Sequence, residues 1–269
     1  MFEKVDPQYL LEGVDGFIQE EVSYNLFYLI TGFEEALTIK SCDSKVLFAQ
    51  SPRGNPWLWV NRDLPEEERE NALKLLIEYL DETPLTGVSS EPRTAEMFAN
   101  LYGARYHTSI KRRMDMEAYA CPQVVKPEGV SGCLRSAQLG DVETVAQYLA
   151  GFSEDGYGIV VDPASQMEAA EIMVCKGGLY MWLVDDRPVS MAQIAHRSPR
   201  HGRINAVFTP RNERRKGYAG AVVSGLCSIL LGEGLVPMLY ADMVNPASNR
   251  AYQKIGFIQS GQISDIRFE

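Results

Sequence analysis

No stretch of this chain is apolar enough to cross a bilayer: the best run, Leu26 to Ile30, falls far short of the roughly 20 residues a spanning helix needs. The N-terminal MFEKVDPQYLLEGVDG carries charge early and lacks the apolar core of a secretion signal. Two phosphate-loop fingerprints are also missing. Without Gly-x-x-x-x-Gly-Lys-Ser/Thr the usual nucleotide triphosphatase is excluded, and without Gly-x-Gly-x-x-Gly after a strand a dinucleotide-binding reading has no support. The three histidines have no cysteine spacing near them, so no metal site is expected. The five cysteines lie far apart without a Cys-x-x-Cys pair, and read as reduced, mostly buried thiols. A net charge of −10 argues against a general nucleic-acid binder, which needs a basic surface to displace counterions. The expectation is a cytoplasmic protein with no nucleic-acid or membrane partner.

What is present is ordinary globular material, 45% hydrophobic and 23% charged. A chain of 269 residues suits one large domain or two of about 130 residues. A break falls at Cys121-Pro-Gln-Val-Val-Lys-Pro-Glu-Gly-Val-Ser-Gly132, where prolines and glycines interrupt the periodicity. The expected organisation is therefore a domain at 1–121, a linker at 122–132 and a domain at 133–269.

The second half is the clearer. A short extended piece, Cys133 to Ser136, precedes a helix led in by Asp141 with Val142, Val145, Ala146 and Leu149 at helical spacing. Leu179 to Val184 and Val189 to His196 form a hairpin across an Asp-Asp-Arg-Pro turn. Ile204 to Phe208 is a strand, and Tyr218 to Leu231 a helix striped with Val222, Val223, Leu226, Ile229 and Leu230. Val236 to Ala241 is the next strand. A short helix runs from Pro246, with Asn245 as its cap, to Gly256, and strands close the chain around Phe257 and from Ile263 to Phe268. The first half repeats part of this plan. It has a strand at Pro56 to Val60, a helix from Pro65 to about Leu80 capped by Asp63, and an extended piece at Leu85 to Val88. A short helix ending at Gly103 and a strand from Ser109 to Tyr119 follow. The pattern predicts an α/β fold with mixed sheets, and a degenerate internal duplication.

One segment carries chemistry. Val207-Phe-Thr-Pro-Arg-Asn-Glu-Arg214-Arg-Lys-Gly217-Tyr-Ala219-Gly220 joins a strand to an apolar helix. The first amides of that helix have no intrahelical partner, and the helix dipole favours an anion there. Gly217, Ala219 and Gly220 keep the backbone approachable. Arg197, Arg200, Arg203, Arg211, Arg214, Arg215 and Lys216 crowd around one acid, Glu213. In an acidic chain this asks for an anionic ligand.

Here the sequence resembles the GNAT family of acetyl-CoA-dependent N-acetyltransferases. Arg214-Arg-Lys-Gly217-Tyr-Ala219 after Val207-Phe-Thr-Pro210 matches its Gln/Arg-x-x-Gly-x-Gly/Ala signature, and Asn245-Pro-Ala-Ser-Asn249-Arg-Ala-Tyr252-Gln-Lys-Ile-Gly256-Phe257 matches a second element. The resemblance covers Gly132 to Glu269 well and the first half only as a relic. It implies two GNAT-like domains, each a mixed, mostly antiparallel twisted sheet with helices on both faces. The main chain of Ala206, Val207 and Phe208 would hold the pantetheine arm. The amides of Arg214, Arg215, Lys216, Gly217, Tyr218, Ala219 and Gly220 would hold the pyrophosphate, and Asn245 and Asn249 would touch the cofactor. Tyr252 would protonate the departing thiolate. For the base, His196, Glu168 and Glu171 are candidates, with structural roles open for each. Gln193, Asn205 and Ser190 are candidate lining for the acceptor pocket. The aligned position in the first half offers Phe98 or Ala99 where Tyr252 stands, so that half is expected to have lost cofactor binding. The leading reading is transfer of acetyl from acetyl-CoA to an amine of a small molecule or peptide. A non-catalytic acyl-CoA-binding regulator and an interaction module using the basic cluster alone stay open beside it. Oligomeric state is not encoded legibly.

Overall fold

The computed structural model describes every residue of the chain except Arg53 and Glu82. Its elements begin with β1 (Phe2–Lys4), α1 (Phe17–Glu20), α2 (Leu26–Ile30), β2 (Leu37–Ser41), β3 (Val46–Gln50) and β4 (Trp57–Val60). Then come α3 (Glu66–Tyr79), β5 (Gly87–Ser90), α4 (Pro92–Tyr106), β6 (Ile110–Ala120) and β7 (Cys133–Ser136). α5 (Val142–Tyr157), α6 (Met167–Lys176), β8 (Leu179–Val184), β9 (Arg187–Arg197) and β10 (His201–Phe208) follow. The chain ends with α7 (Tyr218–Gly232), β11 (Val236–Asp242), α8 (Pro246–Ile255) and β12 (Ile258–Phe268). The fold is mixed α/β and divides into two compact units. One holds Met1–Tyr119, Tyr240–Asn245 and Gln259–Glu269; the other holds Ala120–Leu239 and Pro246–Ile258.

In the first unit the strand order is β1-β2-β3-β4-β5-β12-β6, and all registered pairs are antiparallel except β4 with β5. The chain's last strand thus completes the first half's sheet, Ser264 lying opposite Ser90 and Ile266 opposite Val88. β3 and β4 are apolar on both faces because both faces are covered. Val46, Phe48, Leu58 and Val60 join the cluster under α3 and α4, while Leu47, Ala49, Trp57 and Trp59 join the one under α1 and α2.

In the second unit the order is β11-β10-β9-β8-β7. β10 runs antiparallel to β9 and parallel to β11. Its main apolar cluster joins Val145, Ala146 and Tyr148 of α5 and Ala170 and Val174 of α6 to Leu179, Met181, Leu183, Met191 and Phe208 of the sheet. The fit is tight enough that a Cβ on Gly151 would stand 2.5 Å from the Phe208 ring. α7 covers the other face, where Gly202 passes directly under Leu230.

Three expectations are corrected. Pro65, not Asp63, stands at the head of α3, because the Asp63 amide is taken by Asn61 Oδ1 at 2.9 Å and the helix's own bonding starts with Arg69 N–H to Pro65 O at 2.8 Å. α4 runs through Gly103 to Tyr106 and stops where His107 turns to φ +54. Gly103 is there because β6 crosses close by, with Ile110 Cδ1 3.2 Å from where a Cβ would be. The cysteines are all free, but Cys42, Cys133 and Cys175 are exposed and only Cys121 and Cys227 are buried. The reason is local: a hairpin turn, the first residue of β7 and the outer side of α6 carry the exposed ones.

Burial pushes the Tyr148 phenol up to about 12, and raises that of fully buried Tyr24 as well. Between pH 10 and 12 the unfolded chain loses these protons first. It then binds fewer protons than the folded chain, so stability falls as pH rises through that window. The urea midpoint should therefore drop between pH 9 and pH 11.5, and drop less in Tyr148→Phe; a midpoint independent of pH would contradict the burial assigned to these rings.

Candidate active site

The site starts from the edge of β10. Its parallel pairing with β11 is confined to His201–Val236, Gly202–Pro237 and Arg203–Met238, so from Ile204 onward that edge has no registered ladder partner. On the other side the register with β9 is broken between Asn205 and Phe208, where one extra residue enters β10. Ala206 absorbs the irregularity at φ +48, a left-handed conformation unfavourable for any residue with a Cβ. Ala206 and Val207 are thereby freed from both neighbouring strands, and Phe208 returns to the ladder opposite Met191.

Beyond Phe208 the chain turns through Pro210 and enters α7 at Gly217, which caps the helix at φ +87 without any side-chain hydrogen bond. Arg215 is also left-handed, at φ +64. Among the described residues, the amides of Arg215, Lys216, Gly217, Tyr218, Ala219 and Gly220 have no acceptor; the first paired one is Ala221, to Gly217 O at 3.0 Å. Unpaired amides at the positive end of a fifteen-residue helix form a cradle for an anion.

The small residues of this loop have a further cause that sequence reasoning missed. The segment after Cys121 is packed across α7. Val125 N–H donates to Ile255 O at 2.7 Å, and Trp182 Nε1 donates to Ser131 O at 2.9 Å. A Cβ on Gly217 would stand 2.7 Å from Val130 Cγ2, and one on Gly220 would stand 3.4 Å from Pro127 Cγ. Both glycines therefore make room for protein as well as leaving amides open.

The basic cluster is less free than its composition suggests. Arg211 reaches Glu154 at 2.9 Å and Asp155 at 3.0 Å, and Arg214 pairs with the same Asp155 while donating to Thr209 O at 3.0 Å. Partial burial works against ionisation of Asp155, but the two guanidiniums outweigh it and hold the carboxyl below its usual value. Lys216 binds Glu213 at 2.8 Å and holds that carboxyl low, with Arg187 3.2 Å away on its other side. Arg197 pairs with Glu233 at 2.7 Å. Arg215 is exposed and, among the described residues, unpaired. Apart from Glu213, which lies in the loop itself, the acids come from far along the chain, Glu154 and Asp155 from α5 and Glu233 from just past the end of α7, which is why counting charges along the loop overstated its positive field.

Tyr252 and Asn249 share a face of α8, and both are half-buried. Burial pushes the Tyr252 phenol up to about 12. Its ring packs edge-on to Phe257 at 5.8 Å, and no hydrogen-bond partner for its hydroxyl is found among the described residues. Asn245 is exposed, directly before α8, with its amide bonded to Asp242 O at 3.1 Å. Of the base candidates, Glu168 and Glu171 lie exposed on α6. His196 Nδ1 accepts from Arg203 Nε at 3.1 Å, so a neutral imidazole there carries its proton on Nε2 and its lone pair is engaged. Ser190 donates to Phe208 O at 2.9 Å and lies fully buried, tying the two strands together rather than lining a pocket. No group of three or more His, Cys, Asp or Glu able to hold a metal occurs among the described residues, and no helix there is long and apolar enough to cross a membrane.

Inorganic pyrophosphate should raise the melting temperature, and Asp155→Ala, which takes the shared carboxylate from Arg214 and leaves Arg211 only Glu154, should tighten that binding several-fold. A melting temperature indifferent to pyrophosphate would contradict the cradle.

Comparisons with known proteins bear on the fold and on one segment of the chain. Residues 146–257 match the model of the acetyltransferase (GNAT) family. No curated protein matches the chain. Among solved structures, a GNAT-family acetyltransferase from Colwellia psychrerythraea is similar over 100% of both chains, at 12% identity and a TM-score of 0.57. A GCN5-related N-acetyltransferase from Sphaerobacter thermophilus is similar over 100% of this chain and 95% of its own, at 15% identity and 0.61. A Drosophila protein is similar over 100% and 98%, at 11% and 0.67. At these identities the likeness is one of fold.

Proposed function

Residues 146–257 form a domain of the acetyltransferase (GNAT) family, and from that premise we propose that the chain transfers the acetyl group of acetyl-CoA to an amine of a small molecule or peptide, by direct attack within a ternary complex. The observation that carries this is the row of unpaired amides from Arg215 to Gly220 at the head of α7. A pyrophosphate supplies the acceptors those amides lack. The unladdered main chain of Ala206, Val207 and Phe208 offers N–H and C=O groups to the amides of a pantetheine arm. Asn249 and Asn245 stand at the start of α8 for further contacts with the cofactor, and Arg214, Arg215 and Lys216 flank the phosphates.

Acetyl-CoA brings a thioester whose carbonyl carbon an amine attacks. Tyr252 acts when the C–S bond of the resulting tetrahedral centre breaks: its phenol donates a proton to the sulfur while the carbonyl re-forms. With its pKa near 12 the phenol stays protonated, and so remains a donor, at every physiological pH. The amine's proton leaves through water.

The first unit is proposed to have lost cofactor binding. Its helix α3, in the place corresponding to α7, opens with Glu66, Glu67 and Glu68, three carboxylates where a phosphate would have to sit. Phe98 and Ala99, where a tyrosine would be needed, are buried in the core and have no proton to give.

Thiol release from acetyl-CoA on addition of an amine panel tests the activity, and its absence with every amine would leave only a binding protein. In Tyr252→Phe, kcat should fall about 100-fold with acetyl-CoA affinity unchanged; equal turnover would remove Tyr252 from the mechanism.

A further inference from the structure

Along β10, Gly202 and Ile204 point to one side of the sheet and Arg203 and Asn205 to the other. Gly202 lies against Leu230 of α7, so its side is the α7 face. Asn205 stands opposite Gln193, and Gln193 opposite Leu179. Leu179 packs with α5 and α6. Asn205 is therefore on the α5/α6 face, away from the helix whose head carries the anion cradle. Where α5 and α6 cover that face it is apolar, with Leu179, Met181, Met191 and Phe208. Along β9 and β10 it turns polar, at Gln193, His196, Arg203 and Asn205.

Within this polar row, the side-chain oxygen of Asn205 is buried and has no hydrogen-bond partner among the described residues. An amide oxygen buried without a donor costs about 1–3 kcal/mol, and such orphans in native proteins call for an explanation. The next residue is Ala206, whose left-handed φ of +48 opens the ladder. A buried, unsatisfied acceptor thus adjoins the strained backbone of the site, on the side of the sheet away from α7.

We propose that Asn205 Oδ1 binds the acceptor amine, accepting one of its N–H groups and setting its nitrogen beside the Ala206 bulge on the α5/α6 face. This rests on the acetyl-transfer reading and adds to it the residue that orients the nucleophile. An uncharged amide suits the task. A carboxylate there would stabilise the ammonium form and raise the amine's pKa, whereas an amide orients the amine and leaves it free to lose its proton.

Steady-state kinetics with a primary alkylamine, a polyamine, an amino-acid amide and a dipeptide, together with calorimetry of acetyl-CoA, test this on the full chain. For the amine the wild type uses best, Asn205→Ala should raise KM about 10-fold, the worth of one hydrogen bond near 1.4 kcal/mol, with acetyl-CoA affinity unchanged. Asn205→Asp should retain the amine KM yet shift the rising limb of the pH–rate profile to higher pH, an effect a merely structural residue would not have. An unchanged amine KM in Asn205→Ala, or a loss of acetyl-CoA affinity in its place, overturns the assignment while leaving acetyl transfer intact. A wild type that releases no thiol with any of these amines overturns both.

Discussion

Backbone amides that find no acceptor among the described residues set the rest of this site. The head of α7 presents a run of them, from Arg215 to Gly220, and two left-handed residues, Arg215 and Gly217, shape the loop that carries them. An exposed amide bonds to water at little cost, but a run of them at the positive end of a helix suits a single multivalent anion. The surrounding protein holds that arrangement in place. Val130 and Pro127 press against the positions of Gly217 and Gly220, so the glycines answer to packing from outside and to the ligand from within. A bulkier residue at 217 would disturb both at once, and losing cofactor binding through such a change would say little about which mattered.

Electrostatics plays a smaller part than the charge run suggests. Asp155, Glu154, Glu213 and Glu233 pair with most of the cations in and around the loop. Arg211, Arg214 and Arg197 are exposed, so their pairs are weak and compete only modestly with a phosphate. On the proposed reading, directional hydrogen bonds from the amides, rather than net field, select the pyrophosphate.

Much of the second unit was legible in its sequence because local rules and tertiary packing agree there. The stripe on α7 and the hairpin of β8 and β9 were read where they stand, as was the strand before the loop. Val222, Val223 and Leu226 mark the helix, and the alternation of Leu179, Met181 and Leu183 marks the strand. What escaped depended on contacts distant in sequence. Nothing about Asp155 announces a partner at Arg214, nothing about Val130 announces a seat on Gly217, and Ala206 gives no hint of a left-handed φ. β12 read as a closing strand, but only the register with β5 places it in the first unit's sheet. β1, β2 and β3 and helices α1, α2 and α6 went unread, being short or uneven in pattern.

On the proposed reading, only one of the chain's two compact units binds the cofactor. α7 opens with cations and with amides that have no acceptor among the described residues, while α3 opens with three glutamates; Tyr252 carries a phenol, while Phe98 has no proton to offer. Calorimetric titration of the intact chain with acetyl-CoA reads this directly. The account predicts saturation at one molecule per chain, with affinity only weakly dependent on salt. Two molecules per chain, or none, would contradict it.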